Sequence, residues 1–66
     1  MKYHDKDLAE LQQISYKYSL YRTGDFNFAD EISNEAIGIF LLKADTIEKS
    51  NLTGWIVNTS KNLIQS

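Results

Sequence analysis

Asp30, Glu31 and Glu35 stand within six positions of one another, and carboxylates that close could hold a divalent cation or share a proton. Their surroundings support neither chemistry. The one histidine, His4, stands far along the chain and reads as a solvated terminal residue in a fraying tail. It lacks companion ligands, a nucleophile and an orienting group. The three acids fall at the start of one exposed helix face, where dipole complementarity and solvation account for them. The three glycines form no phosphate-cradling loop, and cysteine is absent, which removes thiolate metal sites and disulfides. The expectation is a protein that is not an enzyme, with no metal and no cofactor.

Aromatic residues are the next candidates. Tyr16, Tyr18 and Tyr21 could form a base-stacking platform. Helical spacing speaks against it, because Tyr18 and Tyr21 share a buried stripe while Tyr16 points well away. Core packing is the expected role of the first two, and Tyr16 is left open.

The elements that must position these residues are three segments of helical period. The first runs from about 5 to 22, with Leu11, Ile14, Tyr18 and Tyr21 as its apolar stripe and Leu8 at the margin. Asp7 and Glu10 have capping-box spacing, and Gly24 stands where a left-handed C-terminal cap belongs. The second runs from about 28 to 44, with Asn27 as its expected N-cap. On a helical wheel Ala29, Ile32, Ala36, Ile39 and Phe40 gather on one side. Asp30, Glu31, Asn34 and Gly38 gather opposite, with Glu35 at the border. After the connector "DTIEKSN", the third runs from about 52 to 65. Leu52, Ile56, Thr59 and Leu63 share its inner face, with Trp55 on one edge of the arc and Val57 and Ile64 on the other. Gly54, Asn58, Lys61 and Gln65 form its outward strip. No alternating strand pattern competes, so the expected fold is all-α, a single small three-helix bundle over residues 1–66.

Totals bound the rest. A chain of 66 residues buries only about 60% of its unfolded surface. The start "MKYHDKD" is polar with no apolar run behind it, and no stretch approaches a membrane span. The cytoplasm is the expected compartment, with no membrane partner. A formal net charge of −2 argues against holding nucleic acid by bulk charge. Leu41 and Leu42 are unusual, since both fall toward the polar side of the second helix, beyond Gly38. Either they dock a partner helix, which approaches closely over the glycine, or they pack under the first helix or a loop.

Taken together, "ADEISNEAIGIFLL" and "LTGWIVNTSKNLI" resemble region 2 of the sigma-70 family of RNA polymerase sigma factors, most of all its compact extracytoplasmic-function members. The family has an acidic helix start with a Gln-Glu pair, an apolar helix, a connector, and a Trp-Leu-x-x-Ile-Ala-Arg-Asn helix. Here Asn34-Glu35 stands at the pair, and Gly54-Trp55-Ile56 with Ser60-Lys61-Asn62 keeps the later spacing. The match covers about residues 28–65, and the first helix is compatible in length and position.

The resemblance implies a transcription initiation module with two contacts. Asp30, Glu31, Asn34 and Glu35 would dock on the coiled coil of the β′ subunit of RNA polymerase core, beside Leu41 and Leu42. Trp55, Asn58, Lys61 and Asn62 would face single-stranded non-template DNA of the −10 promoter element, stacking on or hydrogen-bonding to opened bases. An anti-sigma factor or a separate region 4-type protein would be a further partner. The chain departs from the family pattern where Asn58 and Thr59 replace common Arg and Ile positions, and where Ser66 stands for a frequent Asp. The expectation is either a domain of a longer factor or a short protein supplying the docking half. The alternative function is a small helical interaction or regulatory module without DNA binding.

Overall fold

The computed structural model describes residues 3–66. Three helices, α1 (Asp5–Thr23), α2 (Phe26–Lys43) and α3 (Leu52–Gln65), make an all-α bundle, with no strand among the described residues. The boundaries lie close to those expected from periodicity, and the caps explain the differences.

α1 starts on His4, whose backbone N–H donates to the Asp7 carboxylate at 3.1 Å. The capping pair is therefore His4 with Asp7, three residues before the expected Asp7 with Glu10. His4 is exposed but does not belong to a fraying tail, because Tyr3 beside it is buried. α1 ends as expected on Gly24, at φ 70°, whose N–H donates to the Leu20 carbonyl at 2.7 Å. Only glycine takes that left-handed turn without steric cost.

Asp25 follows at once and caps α2, its carboxylate accepting from the Phe28 N–H at 3.0 Å. This corrects the expectation of Asn27 as the cap and starts α2 two residues early, at Phe26. A carboxylate at this place also meets the positive end of the helix dipole. Two residues between helices force α1 and α2 antiparallel. α2 gives way at Ala44 to two short 3-10 turns, Ala44–Thr46 and Lys49–Asn51. Ile47, buried between them, pins this connector to the core.

The core is unevenly built. Around Phe40 it is apolar: Tyr3, Leu11, Ala36, Ala44, Ile47 and Ile56 are buried there. Tyr3 meets the Phe40 ring edge-on at 5.0 Å, and Trp55 does so at 5.6 Å, the geometry that ring quadrupoles favour. The Tyr3 hydroxyl donates to the Ile47 carbonyl at 3.1 Å, fixing the start of the chain to the connector.

The other part of the interior is lined by small residues. Ser15, Ser19, Ser33 and Ser60 are buried with Ala29 and Ile32. Ser60 donates to the Ile56 carbonyl at 2.7 Å and lies 2.6 Å from the Ser15 hydroxyl. Ser33 donates to the Asp30 carbonyl at 2.9 Å. Ser19 Oγ makes no hydrogen bond within the described chain.

This seam corrects the expected α1 stripe. The buried row is Leu11, Ser15 and Ser19, not Leu11, Ile14, Tyr18 and Tyr21. Tyr21 is 85% exposed, while Ile14 and Tyr18 are half-buried. Rotating α1 by roughly a quarter turn sets side chains of one or two heavy atoms against the other helices, so the backbones come close. The Tyr18 ring lies instead under Arg22, whose guanidinium donates to the phenol oxygen at 2.7 Å.

Candidate functional site

α2 carries its acids where the wheel puts them. Asp30, Glu31, Asn34 and Glu35 are all exposed, and none of the three carboxylates makes an ion pair among the described residues. They do not act as one group. Glu31, Glu35, Gly38 and Leu42 follow one another at steps of four, three and four, so they form one row along the exposed face. Asp30 lies around the helix toward α1, where it lines a groove between α1 and α2. Asn34 sits between these two regions and accepts a hydrogen bond from the Gln12 side-chain amide.

The fate of the leucine pair is clear. Leu42 is 87% exposed, so it packs under neither α1 nor the connector, and Leu41 beside it is 46% exposed. Gly38 has open space beyond its Cα. The row thus changes along its length from two free carboxylates to bare backbone and then to an apolar side chain. No three histidine, cysteine or carboxylate side chains among the described residues come together as a metal site.

On α3, Asn58, Lys61 and Asn62 are exposed and Trp55 is half-buried. Helical geometry places Trp55 and Asn62 nearly in line, with Asn58 beside them; Lys61 projects about 120° around from Trp55. Three of the four residues therefore share a strip, and the cation flanks it. One edge of the strip is held firmly, because Trp55 packs against Phe40 and is part of the apolar cluster.

Sequence reasoning missed two features. Tyr3 stands outside every periodic segment, so its anchoring role had no signal in helical spacing. The groove between α1 and α2 is lined by Ala9, Gln12, Gln13, Tyr16, Asp30 and Ser33, which gives Tyr16 a place. The i, i+4 spacing of Gln12 and Tyr16 beside the buried serine row is the pattern that marks it.

No helix among the described residues is long and apolar enough to cross a membrane. In comparisons with known proteins, no family model, no curated protein and no solved structure matches the chain.

Proposed function

We propose that the chain is a docking module of sigma region 2 type, seating the exposed face of α2 on the basic coiled coil of the RNA polymerase β′ subunit. The observation that carries the reading is the row Glu31, Glu35, Gly38 and Leu42, exposed along α2 with its carboxylates unpaired. Magnitudes assign the parts of the row different tasks. Exposed ion pairs contribute about 0.2–1 kcal/mol each, whereas burying a leucine contributes roughly 1.5–3 kcal/mol. Leu42 and Leu41 supply affinity, the acids supply register and the approach rate, and Gly38 lets the partner backbone come near.

The strip of Trp55, Asn58 and Asn62, with Lys61 at its flank, turns toward non-template DNA of the −10 element once polymerase has opened it. Base stacking contributes roughly 1–3 kcal/mol per base, and the amides of Asn58 and Asn62 reach base edges. DNA binding in this reading is conditional on polymerase, because Lys61 is the one cation on the exposed side of α3.

That same shortage of cations favours a second reading, an interaction module that binds a basic partner helix and never touches DNA. The two separate in a ternary assay with core polymerase, the protein and a fluorescent single-stranded −10 oligonucleotide. The first reading predicts co-purification with core polymerase and oligonucleotide binding that Asn58→Ala and Lys61→Ala weaken. Polymerase binding with oligonucleotide binding unaltered by those substitutions establishes the second. No association with core polymerase overturns the first.

A further inference from the structure

The groove between α1 and α2, about 290 Å³ in volume, is not used by the docking row, and its polar atoms are unevenly committed. The Gln12 side-chain amide donates one N–H to Asn34, which leaves its second N–H and its oxygen for a ligand. Ser33, buried at the lining, has donated its hydroxyl to the Asp30 carbonyl. The Asp30 carboxylate is exposed and makes no ion pair among the described residues. Tyr16 adds a half-buried aromatic ring and Gln13 an exposed amide.

Asp30 is the one charged residue of the lining and Tyr16 its aromatic one, a combination that fits a cationic ligand. Among protein side chains that means lysine or arginine. The guanidinium is planar, offers five donors in a fixed fork and stacks on aromatic faces, while an ammonium is compact and more strongly hydrated. We propose that this groove receives an arginine side chain presented by the partner protein. The inference rests on the docking reading, since Asp30 directly precedes Glu31 and a basic helix seated on the acidic row would lie on the adjoining face of α2.

The test uses the whole ¹⁵N-labelled chain titrated with N-acetyl-arginine amide, and with N-acetyl-lysine amide as the matched probe. The side-chain amide resonances of Gln12 and Gln13 report on the groove. The arginine probe is expected to shift both saturably. Binding should weaken by roughly two- to five-fold with the lysine probe, with Asp30→Asn and with Tyr16→Leu, while Tyr16→Phe retains it. Equal response to both probes overturns the proposal, as does indifference to Asp30→Asn. If Tyr16→Leu loses its helical circular dichroism signal, the exposed Asp30→Asn variant decides alone. The titration needs no polymerase. Failure of the polymerase reading therefore leaves its result intact, and a failed titration leaves the Glu31–Glu35 row untouched.

Discussion

The hydroxyls of Ser15 and Ser60 lie 2.6 Å apart at the buried contact of α1 with α3. Ser60 gives its proton to the Ile56 carbonyl, so Ser15 must be the donor to Ser60. The two substitutions are therefore not equivalent. Ser15→Ala leaves Ser60 bonded to Ile56 and should cost about 0.5–1.5 kcal/mol. Ser60→Ala leaves the Ser15 hydroxyl buried and unserved and should cost about 1–3 kcal/mol. The double variant should be less damaged than the sum of the two, because both polar groups leave together. Urea unfolding followed by circular dichroism checks this: additive losses would contradict the bond, and a loss for Ser15→Ala as large as that for Ser60→Ala would contradict its direction.

Tyr3 ties the beginning of the chain to the connector through its ring and its hydroxyl. Tyr3→Phe keeps the ring against Phe40 and should cost about 1 kcal/mol. Tyr3→Ala opens the core and should cost about 3–5 kcal/mol. That rivals the roughly 3–5 kcal/mol that a core of this size supplies in total, so the variant should be largely unfolded at 25 °C by thermal melting. A near-native midpoint for Tyr3→Ala would show that the anchor is dispensable.

Glycines should separate folding from docking. Gly24 has φ 70°, and Gly24→Ala should destabilise by about 1–2 kcal/mol. A Cβ at Gly38 or Gly54 meets nothing, so either change to alanine should stabilise the helix by about 0.5–1 kcal/mol. Gly38→Ala should nevertheless weaken polymerase binding, whereas Gly54→Ala should not weaken docking. Thermal melting and polymerase pull-down on the same two variants test the pair.

Leu42 offers a complementary contrast. At 87% exposure it contributes little to the core, so Leu42→Ser should leave the melting midpoint within measurement error. If a partner buries it, the same change should lower affinity about ten-fold or more. Unchanged polymerase affinity would remove Leu42 from the docking surface.

How far these features were legible in the sequence varies by element. The three helices were legible because each is long and periodic, and because Gly24 marks the first turn. The exposed acids of α2 were legible from the same wheel, which put Leu41 and Leu42 toward the polar side but left open whether they pack under α1 or a loop. The rotation of α1 was not, because hydrophobicity counts place Ser15 and Ser19 outward. In a helix seam a small hydroxyl can bond a neighbouring hydroxyl or carbonyl, and its size admits a close neighbour. Helical spacing accordingly points Tyr21 at the core, although it lies in solvent. The cap at Asp25 was obscured by Asn27, an equally good cap residue two positions later. Tyr3 bonds a residue 44 positions away, and local pattern carries no information about such a contact.

The proposed docking of the acidic row of α2 on a basic helix of RNA polymerase depends on Glu31 and Glu35. Its most direct test is an equilibrium titration of core polymerase with the fluorescently labelled protein, comparing wild type with Glu31→Lys/Glu35→Lys. Both positions are exposed and unpaired, so helicity by circular dichroism should be unchanged. Docking through this row predicts saturable binding for wild type and affinity at least roughly ten-fold lower for the double reversal. Equal affinity of the two proteins, at equal helicity, would contradict it.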